Sequence, residues 1–220
     1  MGAAAKAYKG IGMDGFLARW YSRNAAKSMP DFISDARRVA ALLQPGDKLL
    51  EVAPGPGYFA VELAKLGDYR VTALDISKTF VEIARRNAKN AQVDVDFQLG
   101  NASAMPFETA QFDFLFCRAA FKNFSEPVQA LQEMHRVLKP GGRGLIIDLR
   151  GDAPLGAINE AVGRMGLGVF SAWLTRMAFR FMLIKRAYTK AQFEEFFAQT
   201  QFRSVSIDES PLGFEIWLEK

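Results

Sequence analysis

The chain has 220 residues, half of them apolar, with a formal net charge of +4 and one cysteine. This length suffices for one domain with a large core, and a single cysteine excludes an internal disulfide framework. Because the basic residues are spread along the chain, we expect a small-molecule partner and no nucleic acid. Residues 1–9 lack the apolar core of a signal peptide, so we expect a cytoplasmic protein without stable membrane insertion.

The predicted elements are helices first and then alternating strands and helices. Residues 14–44 have helical patterning, and strand and helix patterns alternate from Lys48 to Leu149. Such alternation predicts a parallel sheet with helices on both faces. We expect one domain over residues 1–220. Its parts are an N-terminal helical cap (1–45), a cofactor-binding core (46–150), a helical lid (151–190) and a C-terminal helix with two strands (191–220).

An apolar strand over residues 49–52 runs directly into a glycine turn. Glu51 lies inside the end of this strand, and Gly55 and Gly57 follow it. Glycines let the backbone approach a ligand that a Cβ atom would displace. The loop alone leaves three alternatives open: a dinucleotide-dependent dehydrogenase, a methyltransferase or a plain tight turn.

The next predicted strand, residues 69–75, ends in the carboxylate of Asp75. At about this spacing after the glycine turn, Rossmann-like folds hold ribose hydroxyls with an acidic side chain. Pro54 and Pro56 remove two backbone donors that a pyrophosphate would use. The loop therefore favours a ribose-containing ligand without phosphates.

Four later segments follow in the order typical of one enzyme family: residues 94–102, 105–107, 111–118 and 136–142. With the glycine loop, they resemble the class I S-adenosylmethionine-dependent methyltransferases. The resemblance implies a Rossmann-like α/β fold, with a seven-stranded, mostly parallel sheet, an antiparallel final strand and a helical lid. Residues 136–142 resemble the family's turn before the fifth strand. Ala53 stands where the family usually has its first glycine, and an alanine is tolerated there if its φ is negative.

The same resemblance implies S-adenosylmethionine as the cofactor, S-adenosylhomocysteine as its product, and no metal. It assigns cofactor-binding positions to the first helix, the glycine loop, the acidic strand ends, the third-strand loop and the fourth strand. They are Tyr21, Glu51, Ala53, Gly55, Gly57, Asp75, Ile76, Asn101, Ala102, Cys117 and Arg118. Cys117 lies in an apolar strand and is expected to be a packed core thiol rather than a nucleophile.

Methyl transfer from a sulfonium is an in-line displacement, so the protein mainly aligns the reactants and excludes water, and no dedicated base is obligatory. Polar groups near the methyl are expected at the carboxyl ends of the fourth and fifth strands. Arg118, Lys122 and Asn123 are the candidates for substrate positioning, followed by Asp148 and Arg150. In the alternative interpretation, the arginines pair with surface carboxylates and Lys122 is solvated. His135, at a helix end away from the cleft, is not expected to take part.

Two short segments are similar to one branch of the family, the quinone-ring C-methyltransferases. Residues 20–24 (Trp-Tyr-Ser-Arg-Asn) resemble that branch's Tyr-Asp-x-x-Asn segment, with Ser22 in place of the aspartate. Residues 120–124 resemble its Gly-[Ile/Leu]-Arg-Asn-Val segment, with Lys122 in place of the arginine. Quinone-type C-methylation is therefore one candidate among several, and the acceptor is expected to be small and apolar or aromatic.

The segment from Asp152 to Ala187 is predicted to form the helical lid over the substrate site. Its apolar residues recur at helical spacing. They are Phe170, Trp173, Leu174, Met177, Phe181 and Ile184, with Arg176 and Arg180 on another face. Three interpretations stay open: a lid packed on the sheet, a lid whose aromatic residues line an apolar pocket, and a contact with a membrane surface. The arginines argue against a membrane-spanning helix.

Two other functions stay open at this stage. An NAD(P)-dependent oxidoreductase would need a proton-relay Tyr or His, which is not evident in the sequence. A non-catalytic, methyltransferase-like protein would bind the cofactor as a regulator or partner subunit. The sequence gives no oligomeric state.

Overall fold

The computed structural model describes residues 8–9, 12–164, 173, 176–177 and 184–220. Within them, the helices with described bounds are α1 (Gly15–Ala25), α2 (Met29–Ala40), α3 (Tyr58–Ala64), α4 (Lys78–Ala91), α5 (Pro127–Val137), α6 (Leu155–Arg164) and α7 (Lys190–Phe197). The strands are β1 (Lys48–Val52), β2 (Arg70–Asp75), β3 (Asp96–Leu99), β4 (Phe112–Arg118), β5 (Leu138–Leu149), β6 (Ser204–Glu209) and β7 (Gly213–Glu219). Short 3₁₀ turns cover Ala26–Ser28, Phe121–Asn123 and Ile184–Arg186.

The strands form one seven-stranded sheet in the order β3-β2-β1-β4-β5-β7-β6. The first five strands of this order are parallel, whereas β7 runs antiparallel to both β5 and β6. The predicted fold class is confirmed, including the antiparallel final strand. Because the strand order reverses between β1 and β4, a crevice opens at the carboxyl ends of these two strands.

Alternate side chains of the buried strands pack into two apolar clusters, one on each face of the sheet. On one face, Leu49 and Phe116 pack with residues of α2, α3 and α4, and the rings of Phe59 and Phe116 stack at 3.7 Å. On the other face, Leu50 and Ile146 pack with residues of α5 and α7. Burial on both faces explains why these strands are near-continuous apolar runs in the sequence.

The predicted turn at residues 136–142 is instead a bulge inside β5. The strand begins at Leu138, and the register with β4 slips between Phe112 and Phe114, which lie opposite Leu138 and Arg143. Residues 139–142, between these two positions, have no partner in β4. Gly141 has a φ of +75° in this loop, and its N–H donates to the carbonyl of Lys220 at 2.9 Å. The turn prediction was wrong because the continuation of β7, distant in sequence, holds this segment in the sheet.

Only part of the predicted lid belongs to the described residues. In α6, Ile158 and Val162 are buried and pack with Ile184 and Leu212. The side chains of Trp173 and Met177 are exposed. The other predicted lid residues, Phe170, Leu174, Arg180 and Phe181, lie outside the described residues. The lid and the four-part division of the chain therefore stay predictions. Among the described helices, none combines the length and the apolar character that crossing a bilayer requires.

Candidate active site

The glycine loop joins β1 to α3 at the carboxyl edge of the sheet. Gly55 and Gly57 have φ values of +56° and +74°. A Cβ atom on Gly55 would meet only the Tyr21 ring, at 3.9 Å, so the space above this residue is open to a ligand. A Cβ atom on Gly57 would lie 2.8 Å from Phe97 and Ala84. Gly57 therefore lets the start of α3 pack closely against β3 and α4. Of the two glycines, only Gly55 leaves the space that the predicted ligand needs to approach the backbone.

Ala53 begins this loop in a strained conformation. Its φ is +57°, in the left-handed region, so the negative φ under which an alanine was expected to be tolerated is not observed. The Ala53 N–H donates to the Leu74 carbonyl at 2.8 Å, which fixes the loop against β2 and maintains this conformation. The strain is the physical reason why a glycine suits this position better.

Replacing Ala53 by glycine is expected to stabilise the protein by roughly 0.5–1 kcal/mol, because glycine adopts a positive φ without steric cost. Urea unfolding of the variant measures the change. Ala161→Gly, inside α6, is the matched control, and it should destabilise by about 1 kcal/mol because glycine loses more backbone entropy in a helix than alanine does. Equal losses in both variants would show that Ala53 is not strained.

Glu51 is a buried carboxyl at the carboxyl end of β1. It is 3% exposed, and one carboxylate oxygen accepts the N–H of Ala60 at 3.1 Å. Burial raises the pKa of Glu51 to about 8, and the nearby charge of Asp75 adds to the increase. A carboxyl in this state favours a ligand that brings positive charge or hydrogen-bond donors.

The raised pKa of Glu51 predicts that the stability of the protein falls as the pH rises. Between the unfolded value of 4.5 and the folded value of about 8, the folded state keeps a proton that the unfolded chain has released. The free energy of unfolding then decreases by up to ~1.4 kcal/mol per pH unit over this window. Urea unfolding from pH 6.5 to 8 tests this, because at lower pH the raised pKa of Asp75, about 6, contributes a slope of the same sign. Glu51→Gln should flatten the profile, whereas Glu108→Gln, at an exposed position, should leave the slope unchanged.

Asp75 ends β2 next to the same loop and is 5% exposed. One carboxylate oxygen accepts the N–H of Gly55 at 2.9 Å, and the other accepts the N–H of Ser77 at 2.8 Å. Burial raises the pKa of Asp75 to about 6, against the effect of these two hydrogen bonds. Asp75 therefore connects the glycine loop to the start of α4, where the Ser77 hydroxyl caps the helix through the Phe80 N–H.

Apolar side chains line the cleft beside Asp75. Ile76, a predicted cofactor contact, is 43% exposed, and Leu99, directly opposite Asp75 in the sheet register, is 55% exposed. The amide oxygen of Asn101 accepts the N–H of Ser103 at 3.0 Å, which fixes the loop after β3. Ala102 packs against the core. Leu99 was not predicted, although an exposed apolar residue at a strand end is a signal for a ligand surface.

Helix α1 closes the other side of the loop. The Tyr21 ring lies next to Gly55 and contacts the Phe80 ring edge-on at 5.8 Å. Ser22, which replaces the aspartate of the quinone branch, is held by Tyr58, whose hydroxyl donates to the Ser22 carbonyl at 3.1 Å. The structure thus brings Tyr21 to the glycine loop and assigns Ser22 to helix packing.

Arg118 extends from the end of β4 toward α2. Its guanidinium pairs with Asp35, lies 3.6 Å from Asp31, and is 5.4 Å from the centre of the Phe32 ring. These α2 partners were not predicted, because nothing in the local sequence connects α2 with β4. The neighbouring Cys117 is enclosed in the core, and burial raises the pKa of its thiol well above the ordinary value. The thiol therefore belongs to the packing, as expected.

Lys122 and Asp148 form a buried ion pair below the cleft. The ammonium is 2.9 Å from one carboxylate oxygen of Asp148, and the backbone N–H of Lys122 donates to the other at 2.8 Å. The ammonium also donates to the Ala119 carbonyl. Because both side chains are almost fully enclosed, the interpretation of Lys122 as a solvated residue is wrong. The pair holds the 3₁₀ turn after β4 against the end of β5.

The segment Tyr8–Lys9 crosses the loop that follows β4 and was missed by the sequence analysis. Tyr8 forms an antiparallel bridge with Phe124, and the Lys9 N–H donates to the Asn123 carbonyl at 2.8 Å. The Lys9 ammonium donates to the Tyr188 hydroxyl and lies 3.9 Å from the centre of that ring. Asn123 is thus hydrogen-bonded through its backbone carbonyl in this contact.

The Tyr8 side chain is half-buried among charged groups of the site. Burial raises its pKa, Arg186 lowers it, and the charges of Tyr21, Asp75 and Asp148 raise it further. The Tyr8 hydroxyl therefore interacts electrostatically with the carboxylates of Asp75 and Asp148. These contacts join distant parts of the chain, and no local sequence pattern marks them.

Two further polar candidates lie outside this arrangement. Arg150 pairs with Asp152 at 2.7 Å and with Glu209 at 3.0 Å, in agreement with its interpretation as a surface ion pair. His135 lies in the last turn of α5, where its ring contacts Phe202 edge-on at 5.2 Å. Within the described residues, no cluster of His, Cys, Asp and Glu has the arrangement of a metal site.

Comparison with known proteins relates this geometry to one family. A family model described as a methyltransferase domain matches residues 50–146. The chain is 34% identical over 114 residues to a demethylmenaquinone methyltransferase of Deinococcus radiodurans, covering 51% of this chain and 47% of that protein. It is 33% identical over 132 residues to the 27-O-demethylrifamycin SV methyltransferase of Amycolatopsis mediterranei, covering 58% and 48%. The chain thus spans about half the length of these curated relatives.

A solved structure covers nearly the whole chain. The putative S-adenosyl-L-methionine-dependent methyltransferase of Methanococcus maripaludis superposes with a TM-score of 0.75 over 96% of this chain and 95% of that one, at 22% identity. This match establishes the fold. The domain match over residues 50–146 is in agreement with the family and the cofactor that the sequence predicted.

Proposed function

We propose that this chain, which matches a methyltransferase domain over residues 50–146 and has the fold of an S-adenosylmethionine-dependent methyltransferase, transfers a methyl group from S-adenosylmethionine to a small acceptor, apolar or aromatic. One observation carries the proposal. The buried carboxyls of Glu51 and Asp75 lie at the ends of adjacent parallel strands and flank the open loop at Gly55. Such an arrangement offers acceptors for ribose hydroxyls and for an amino group within one cleft.

The residues of the cleft fit the family's cofactor. Asp75 would accept the ribose hydroxyls and Glu51 would face the amino group of the methionine portion, which offsets the cost of burying both carboxyls. Pro54 and Pro56 offer no N–H to a pyrophosphate, which disfavours a dinucleotide. When bound, S-adenosylmethionine supplies an electrophilic methyl group on a sulfonium. Tyr21 would cover the loop and limit the access of water.

The polar groups that follow β4 would act mainly by holding the surrounding backbone in place around the acceptor. Arg118 holds α2 through Asp35, and Lys122 holds the 3₁₀ turn through Asp148. Both would keep the acceptor side of the cleft in one conformation, so that nucleophile, methyl and sulfur are aligned. Asn123, in the same turn, is proposed to face the acceptor.

The acceptor is proposed to be a hydroxylated aromatic ring. Support for a ring-type acceptor comes from the Deinococcus radiodurans relative, which is named as a demethylmenaquinone methyltransferase. Quinone-ring C-methylation is the second, narrower candidate, supported by residues 20–24 and 120–124 as well as by that relative. The 27-O-demethylrifamycin SV relative supports O-methylation as the competing outcome. A cytoplasmic location and the absence of a nucleic-acid partner stay predictions.

Calorimetric titration with S-adenosylmethionine, and separately with NADH, tests the cofactor. Binding of S-adenosylmethionine without an NADH signal is expected, and the reverse would exclude the proposal. Release of S-adenosylhomocysteine is then followed with a ring-demethylated quinol and its O-methylated analogue as acceptors. His135→Ala is the control and should retain turnover within about twofold. Cofactor binding without turnover on any hydroxylated aromatic acceptor would favour the non-catalytic alternative.

A further inference from the structure

The exposed side of α1 combines aromatic and basic side chains. We define the α1 face as Phe16, Arg19, Trp20 and Arg23. Phe16 is 81% exposed and Trp20 is 55% exposed, one helical turn apart, whereas Ala18 on the opposite side of the helix is fully buried. No acidic residue occurs in α1. Large aromatic side chains with such exposure are unusual on a surface that contacts only water.

A basic cavity borders the α1 face on the side of α4. Its volume is about 370 Å³, and Arg19, Arg23 and Arg86 line it together with a single acid, Glu82. Within the described parts of the chain, none of these three arginine side chains has an ion-pair partner. Guanidinium groups gathered around one cavity repel each other, and an anion between them offsets that cost. Arginine binds phosphate oxygens in a bidentate manner.

We propose that the α1 face docks on an anionic phospholipid surface. Arg19, Arg23 and Arg86 hold lipid phosphates, while Phe16 and Trp20 enter the region between headgroups and acyl chains, where interfacial helices place Phe and Trp side chains. A second copy of this chain is a poorer occupant, because a two-fold interface would place the same arginines against each other. Three basic side chains beside two exposed apolar rings also suit a bilayer better than a nucleic-acid backbone.

This docking goes beyond methyl transfer and has a consequence for it. Tyr21, on the same helix, lies next to the open loop at Gly55. Docking through α1 therefore brings the cleft close to the membrane surface. If the proposed function is correct, an apolar acceptor dissolved in the bilayer reaches the cleft over a short path.

Vesicle flotation with neither cofactor nor acceptor tests the docking independently of catalysis. The full chain is expected to float with vesicles that contain phosphatidylglycerol and to remain unbound with pure phosphatidylcholine. The double variant Arg19→Ala and Arg23→Ala should lose about fivefold in partitioning for each arginine removed. The matched control, Arg70→Ala with Arg143→Ala, removes the same charge at exposed positions on β2 and β5, outside α1 and α4, and should bind like the unchanged protein.

A second measurement does not depend on the arginine variants being folded. Brominated phosphatidylglycerol vesicles should quench the tryptophan fluorescence of the unchanged chain, and Trp20→Phe should remove that quenching. Equal binding to both vesicle types, equal loss in the control variant, or quenching that persists without Trp20 would overturn the proposal. Binding of inorganic phosphate or single-stranded RNA through these arginines, without binding to vesicles, would overturn it in favour of a soluble ligand.

Discussion

Replacing Asp75 by alanine is expected to weaken S-adenosylmethionine binding roughly 10- to 150-fold. A charge-assisted hydrogen bond to a buried carboxylate contributes ~1.5–3 kcal/mol, which corresponds to that range of dissociation constants. The same substitution removes the acceptor for the N–H groups of Gly55 and Ser77, so the glycine loop loses its connection to α4. Calorimetric titration of the cofactor measures the loss.

Two controls separate the ribose contact from a general effect. Asp94→Asn removes one carboxylate at an exposed position and should leave the affinity unchanged. Thermal unfolding of the Asp75→Ala variant shows whether the loop alone is affected or the whole domain. An unchanged dissociation constant in a folded Asp75→Ala variant would rule out Asp75 as the ribose ligand and would move the cofactor site to another strand end.

The sequence predicted the sheet and the glycine loop because both have local causes. Buried parallel strands require apolar runs, and a turn with positive φ favours glycine, so Leu49, Gly55 and Gly57 are visible one segment at a time. The local sequence does not show that Gly57 serves close packing whereas Gly55 leaves space for a ligand. The close approach of Phe97 and Ala84 to Gly57 depends on how β3 and α4 pack against the loop.

What the sequence did not predict depends on long-range contacts. The pairing of Arg118 with Asp35 joins residues 83 positions apart, and the contact of Lys9 with Tyr188 joins residues 179 positions apart. Contacts over such distances in the chain leave no periodic or spaced pattern in the local sequence, so the sequence alone does not predict them. Ala53 shows the same limit within the loop, because its left-handed conformation is fixed by the Leu74 carbonyl of the next strand.

Lys122→Met is expected to destabilise the protein by about 3–5 kcal/mol, since it leaves the fully enclosed carboxylate of Asp148 without its cation. For a chain of this size, that loss lowers the midpoint of thermal unfolding by roughly 6–20 °C. The matched control is Lys139→Met, which breaks the pair with Asp113 at 2.7 Å, where both side chains are partly exposed. Its expected cost is only about 0–1 kcal/mol. Scanning calorimetry of both variants gives the comparison.

A double variant distinguishes the cost of an unpaired charge from the loss of packing. Asp148→Asn added to Lys122→Met removes the second charge and keeps an oxygen that accepts a backbone N–H, from Lys122 or from Leu149. We expect the double variant to recover more than half of the lost stability, because neither charge is then buried alone. If Lys122→Met is instead as stable as the unchanged protein but has a raised KM for the acceptor, Lys122 contacts the substrate directly. A parallel loss of stability and turnover supports its role in holding the turn after β4.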